Sequence, residues 1–382
     1  MLFPLKKLLV NWVDGMKISK EHLVYTEDFF IDAVRDSVNI RLNSFNYGLL
    51  PPYTGQTSSS DFEIKERITG HVDIELRRCN AITSGGCRID INPSDSAGYL
   101  KLDHVFETGG IAQEKMWDVI LIVQPFIRVS VGVPDDDETP PRHPFADKLY
   151  KLSITPKGQI NSEELGMHNL IIGRIKKNGD RYVVDHTYIP PCTSMLSHID
   201  LKNYYNDFTK YLSEIEISSY SIIRKILERD KSLDVAIRTQ FLCEHILNYL
   251  STIFFKYNNM GRNLSPIEIM EMISAFAHRC FVALNFIPKT KRDEMLQYYY
   301  TWSDVTPGDF IDMLTKMIEA KYDHNDIRLV MVQMNAFLSQ FAKLWTKLSE
   351  LEYIGFRKDN VVVAIQEKQD IPIRKSGWTI LD

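Results

Sequence analysis

The 382-residue sequence lacks any run of roughly 20 mostly apolar residues, the length a helix needs to cross a bilayer. Its best candidate, Val119 to Val133, is broken by Gln124, Pro125 and Arg128. Direct membrane insertion is therefore not expected, and any service to a membrane comes from the soluble side. The opening stretch, Met1-Leu2-Phe3-Pro4-Leu5-Lys6-Lys7-Leu8-Leu9-Val10, resembles a signal peptide only superficially. Its lysines split the apolar run and no small-residue cleavage site follows, so a cytoplasmic location is expected. Positive charge is not in surplus: the formal net charge is −5, whereas nucleic-acid binders usually carry a basic stripe. No nucleic acid is expected as a partner. The five cysteines (Cys79, Cys87, Cys192, Cys243, Cys280) are odd in number and widely spread, which suits reduced thiols better than a disulfide framework.

Chemistry-bearing patterns are scarce as well. Cys192 lies six residues from both His186 and His198, but that spacing fits neither a zinc finger nor a zincin. Asp135-Asp136-Asp137-Glu138 lacks the alternating ligands and turn glycine of a calcium loop. Ser84-Gly85-Gly86 has no following Gly-Lys-Ser/Thr and reads as a hairpin turn between Cys79 and Cys87. No Gly-x-Ser-x-Gly elbow occurs. His245 and His278 read as core histidines on apolar helix faces. No catalytic residue, metal site or cofactor is expected, and the chain reads as a non-enzyme.

What is present is an ordinary globular composition, 44% hydrophobic and 25% charged, in a chain long enough for two or three domains. Residues 1–195 read mainly as short strands. Ile68 to Leu76 and Tyr99 to Leu102 alternate apolar and polar residues, while Val119 to Val123 and Ile127 to Val131 are two β-branched runs separated by Pro125. Ser84-Gly85-Gly86 and Lys177-Asn178-Gly179-Asp180 supply hairpin turns, and Lys20 to Leu42 reads as a helix laid beside the sheets. Many short strands with frequent turns predict an antiparallel β-sandwich.

After Pro191 the period changes. Phe208, Ile215 and Ile222 recur a heptad apart. Ile237, Phe241, His245, Tyr249 and Phe254 share broadly one side of the next helix. Ser265-Pro266-Ile267-Glu268 supplies a capping box ahead of an apolar stripe from Ile269 to Leu284, and Thr306-Pro307-Gly308-Asp309 repeats that logic. A last long helix from Asn325 to Glu350 points Phe337, Phe341 and Trp345 inward. Residues 196–351 are thus predicted to form an antiparallel helical bundle, giving an α+β multidomain chain. Phe208, Ile215, Ile222, Phe337, Phe341 and Trp345 are candidates for the bundle core or for contacts between copies. Residues 352–382 turn strand-like again, with Asn360 to Ile365 the clearest run, but are too few for an independent domain.

Two strings are more distinctive than the rest. Trp12-Val13-Asp14-Gly15-Met16, followed by His22, pairs an aromatic with a glycine corner; Trp12 reads first as a plug for the sandwich core and Gly15 as a turn. Tyr188-Ile189-Pro190-Pro191-Cys192 reads first as a stiff connector that ends a strand and forbids early helix. The apolar arm that contains Leu2, Phe3, Leu5 and Leu8 either packs as an edge strand or docks on a partner.

Together these strings resemble the TssK family, baseplate subunits of bacterial type VI secretion systems. That family opens with Trp-x-x-Gly-Met and a histidine six residues beyond the methionine, as Trp12, Gly15, Met16 and His22 do here. Tyr47-Gly48-Leu49 is similar to its aromatic-Gly-Leu, Ile74 to Ile91 to its next strand pair, and Asp185-x-x-Tyr188-Ile189-Pro190-Pro191 to the segment closing its first domain. The chain departs at Ser19-Lys20-Glu21-His22-Leu23, where most members have Pro-Gln before the histidine and Phe-Gln after it. It also has only about 30 residues where the family carries a C-terminal head, which implies a divergent member with a reduced head, such as the Bacteroidetes variant.

The resemblance implies a cytoplasmic homotrimer recruited to the inner membrane, with a β-sandwich shoulder and a helical neck. It would link the wedge proteins TssF and TssG to the membrane complex, with Leu2, Phe3, Leu5 and Leu8 as candidate wedge contacts. The alternatives are a phage baseplate or receptor-binding protein and, in a different class, a β-sandwich hydrolase or ligand-binding protein.

Overall fold

The computed structural model describes residues 5–68, 70–92, 100–106, 115–159, 165–228, 233–352 and 354–356. The expectations for Leu2, Phe3 and the run Asn360 to Ile365 lie outside these residues. The chain divides into two compact units: Met1–Asn206 with Lys256–Glu271 and Lys321–Val332, and Asp207–Phe255 with Met272–Ala320 and Gln333–Asp382.

The first unit holds two antiparallel sheets. One is built on β3 (His71–Ile82), which pairs with β1 (Gly48–Leu49), β2 (Ser60–Ile68), β4 (Arg88–Ile91) and β5 (Leu100–Val105). The other runs in the order β7 (Phe145–Pro156), β6 (Met116–Val131), β8 (Asn169–Asn178), β9 (Arg181–Val184). Period-two burial along β3 turns Val72, Ile74 and Leu76 inward, as alternation demands of a strand with one covered face. The sheets meet closely. A Cβ on Gly173 of β8 would fall 2.2 Å from the Phe62 ring of β2, and Phe106 stacks on Tyr182 at 4.0 Å with Trp117 beside them. This is the expected sandwich.

Two strand expectations are corrected. Ile68 to Leu76 is not one strand: β2 ends at Ile68 and β3 begins at His71, with Gly70 at φ +83° in the turn between them. The runs on either side of Pro125 are not two strands but the single β6. Its register against β7 slips between Gln124 and Arg128, and its pairing with β8 stops at Ile122. Pro125 thus falls in a bulge where β6 has a neighbour on one side only, so its missing N–H breaks no ladder.

The helix α1 (Lys20–Asn39) belongs to this unit too, and its polarity is inverted. Asp28, Asp32, Arg35 and Asn39, one stripe at helical spacing, are buried, while Leu23, Phe30 and Val34 are 55%, 59% and 65% exposed.

The second unit is the helical bundle. It holds α5 (Lys289–Trp302), α6 (Pro307–Ile318) and the greater part of α2 (Ile199–Leu227), α3 (Asp234–Met260), α4 (Pro266–Asn285) and α7 (Ile327–Glu350), four helices through which the division passes. Caps start the helices as predicted: Glu268 accepts from the Ser265 N–H and hydroxyl, both at 2.9 Å, and Thr306 and Asp309 cap α6 reciprocally. An aromatic chain fills the core. Phe276 meets Phe341 at 5.3 Å, Phe341 stacks on Trp345 at 4.4 Å, and Trp345 meets Tyr299 at 5.9 Å.

Three expectations for the helices change. The core face of α3 is Leu242, Ile246 and Leu250, not the side marked by Ile237 and Phe254, which are half exposed. Apolar residues surround α3, so spacing alone does not choose its inner face. His278 is exposed, because it lies about 200° round α4 from both Phe276 and Cys280. Last, α5 was not expected: it begins Lys-Thr-Lys-Arg-Asp-Glu and buries Met295, Leu296, Tyr298 and Tyr299 only from its middle onward.

Candidate functional site

The first string is a local device at the start of α1. Gly15, at φ +77°, reverses the chain while the Met16 N–H donates to the Val13 carbonyl at 3.2 Å. The backbone then enters α1 through Ser19, whose N–H donates to Nδ1 of His22 at 3.2 Å; the imidazole acts as the acceptor of a capping box. The turn brings Trp12 edge-on to His22, ring centres 5.9 Å apart. Trp12 is 49% exposed, so its reading as a plug for the sandwich core is corrected. The five residues between Met16 and His22 are what the turn and cap require.

Ahead of this string the arm follows α1 without forming a strand. The backbone N–H groups of Lys6 and Lys7 both donate to Oδ2 of Asp32, at 2.6 and 3.0 Å. The Lys7 ammonium reaches Asp28 at 3.2 Å and lies 4.7 Å from the centre of the Phe126 ring. Arg128 of β6 holds the other oxygen of Asp28 at 2.8 Å, and Arg35 bonds Oδ1 of Asp32 at 2.7 Å and the Gly85 carbonyl at 3.1 Å. Burial alone would push Asp32 up; the Arg35 hydrogen bond and the two N–H groups outweigh it and hold the carboxyl below the usual range. The buried charges of α1 are therefore partnered, as burial requires. Outward, the arm presents Leu5, Leu8 and Leu9, which are 46%, 82% and 64% exposed.

The second string lies at the opposite extreme of burial. Tyr188, Ile189 and Cys192 are at most 5% exposed, and Pro190 and Pro191 are buried with them. The segment pairs with the Tyr47-Gly48-Leu49 string: the Leu49 N–H donates to the Pro191 carbonyl at 2.7 Å and Thr193 N–H to the Leu49 carbonyl at 2.9 Å. Gly48, at φ +110°, is obligatory, since any Cβ would lie 2.1 Å from the Pro191 oxygen.

Both strings then grip the loop before α7. Tyr188 OH donates to the Asn325 carbonyl at 2.9 Å, Tyr47 OH to Asn325 Oδ1 at 3.2 Å, and His324 Nε2 to the Tyr47 carbonyl at 2.9 Å. Tyr322 OH completes His324 at Nδ1, 2.8 Å away. Arg174 lies over the Tyr188 ring at 4.2 Å and joins Asp118 to Asp326. Burial lowers His324 to about 4, which keeps it neutral near pH 7. Asp185 caps the turn into Tyr188. Burial pushes its carboxyl up, and the bonds from Thr187 and Lys176 more than reverse this.

The helical candidates Phe208, Ile215, Ile222, Phe337, Phe341 and Trp345 are all under 5% exposed within one chain, so none of them lies on an open face. On α2 such a face exists: Ile217, Tyr220 and Leu227, at steps of three and seven residues, are each more than half exposed.

The thiols are enclosed. All five cysteines are free and buried. Cys87 Sγ is 3.2 Å from His168 Nδ1, but burial pushes the thiol up and the imidazole down, which favours a neutral contact over a reactive thiolate. Among the described residues no three His, Cys, Asp or Glu gather as metal ligands, and no helix is long and apolar enough to cross a membrane.

Sequence reasoning missed the inverted α1. Its signal was available in Asp28, Asp32, Arg35 and Asn39, polar residues at steps of four, three and four.

No protein-family model matches the chain, and no curated protein matches it in sequence. Its fold is similar to that of solved structures. A crystal structure of TssK superposes with a TM-score of 0.51 at 15% identity, covering 87% of this chain and 68% of that one. A chain of the baseplate complex from the type VI secretion system gives a TM-score of 0.51 at 13% identity, covering 88% of this chain and 99% of that one. The chain has a TssK-like fold, with N-terminal antiparallel sheets followed by a helical region.

Proposed function

We propose, from this TssK-like fold, that the chain is a structural baseplate adaptor of a type VI secretion system and works by positioning rather than by catalysis. Fold alone does not fix function. The observation that supports the reading most is the preformed apolar surface of the first unit. Leu5, Leu8 and Leu9 on the arm, with Leu23, Phe30 and Val34 on α1, stay exposed while Asp28, Asp32, Arg35 and Asn39 of α1 are buried. Residues 1–195 would be the shoulder and residues 196–351 the neck of a cytoplasmic homotrimer. The arm side would take the wedge proteins TssF and TssG, and the assembly would be recruited to the membrane complex. Self-association we assign to Ile217, Tyr220 and Leu227 of α2. Large, partly apolar contacts repeated by symmetry give stable assembly without chemistry.

The test is co-purification with TssF and TssG wedge proteins from the same cell, combined with light scattering at micromolar concentration. A trimer is expected, and Ile217→Glu with Leu227→Glu should reduce it to monomer. Deleting residues 1–9 should weaken wedge capture while leaving the fold intact, with a modest fall in melting temperature because Asp28 and Asp32 lose their arm partners. A clean monomer, or undiminished capture by the truncated chain, overturns the corresponding half of the proposal.

A further inference from the structure

The contacts of Asp32 go further than anchoring a helix. Its two oxygens are divided: Oδ1 takes the buried Arg35 at 2.7 Å, while Oδ2 takes two successive backbone N–H groups of the arm at 2.6 and 3.0 Å. One turn earlier, Asp28 divides its oxygens between Lys7 of the arm at 3.2 Å and Arg128 of β6 at 2.8 Å. Both aspartates are buried, so these bonds form largely away from competing water. The residues next along the chain, Leu8 and Leu9, are among its most exposed apolar side chains. Fixed root and free tip are separated by a single peptide bond.

We propose that Asp32 is a positioning residue: it clasps the arm at the main chain of Lys6 and Lys7 and so presents Leu5, Leu8 and Leu9 in a preset path for the wedge proteins. The inference rests on the reading of the arm as a wedge contact. A clasped arm has already lost the backbone freedom that a loose one would surrender on binding. Binding is stronger for that reason, without any new contact.

Two variants of the full chain test it. Asp32→Asn keeps shape but removes charge, and Lys7→Pro removes one N–H and the ammonium while leaving Asp32, Arg35 and the three leucines in place. Hydrogen exchange over residues 5–12 and chymotryptic cleavage after Leu8, Leu9 or Trp12 read the clasp; wedge capture reads its use. Both variants should speed exchange and cleavage at least tenfold and weaken capture about tenfold or more, with Lys7→Pro still folded and melting only a few degrees lower. Should Asp32→Asn fail to fold, Lys7→Pro alone decides. Unchanged exchange in Lys7→Pro overturns the clasp. Faster exchange with undiminished capture overturns its role in positioning. If the wild-type chain captures no wedge protein, the functional reading fails with the docking role, while exchange still decides whether Asp32 clasps the arm.

Discussion

The strings Trp12-to-His22 and Tyr188-to-Cys192 look alike in sequence, an aromatic beside residues of special backbone, yet the structure uses them in opposite ways. The second is buried to the last atom that matters and is tied by hydrogen bonds to β1 and to the loop before α7. The first lies on the surface, closes a turn on itself and leaves half of Trp12 in water. A conspicuous aromatic therefore does not reveal its role by type. What separates the two is how far their bonds reach: the Tyr188 hydroxyl and the Pro191 carbonyl bond to segments more than 100 residues away, whereas the Ser19 and Met16 N–H groups bond within three residues.

The contrast is easiest to break at Gly48. Gly48→Ala forces a Cβ to within 2.1 Å of the Pro191 oxygen from a backbone that L side chains resist, so it should cost about 3 kcal/mol or more and appear as a collapsed urea midpoint. The next effect is pH dependence. His324 is lowered to about 4 in the fold, so the unfolded chain binds the extra proton first as pH falls. Its contribution is flat above about pH 6.5 and costs stability progressively from there to about pH 4, by roughly 3 kcal/mol at most. In NMR titrations its imidazole should stay neutral down to pH 5; a midpoint near 6.5 would show that the junction is open. Smallest is Trp12→Ala. Losing one exposed edge-to-face contact should change folding stability by about 0.5 kcal/mol, read as a nearly unchanged urea midpoint. If the melt falls as far as for Gly48→Ala, the two strings are not different in kind.

The sandwich and the bundle were legible because their signals are local. Alternation placed Val72, Ile74 and Leu76, heptad spacing placed Phe208, Ile215 and Ile222, and capping residues placed the starts of α4 and α6. What was not legible depends on distant partners. Pro125 reads as a strand break until one sees that β6 lacks a second neighbour there. The burial of Asp28 and Asp32 on α1 follows only from Arg128, more than 90 residues on, and from the arm that covers them. Trp12 reads as core because tryptophan usually is, and only the Gly15 turn redirects it. Tyr47 and Tyr188 were recognisable as motif residues, but their convergence on Asn325 is a property of the fold.

The inverted helix α1 also changes where tolerance to substitution should lie. On an ordinary surface helix, evolution is free with the polar face and strict with the apolar one. Here the strict positions are the hydrophilic Asp28, Asp32 and Arg35, since each is sealed against a specific counter-charge or main-chain group. The oily positions Leu23, Phe30 and Val34 answer only to whatever covers them. Among related chains, α1 should vary in charge least where hydropathy is lowest, and its outward residues should drift in step with a partner's sequence rather than with the rest of the fold.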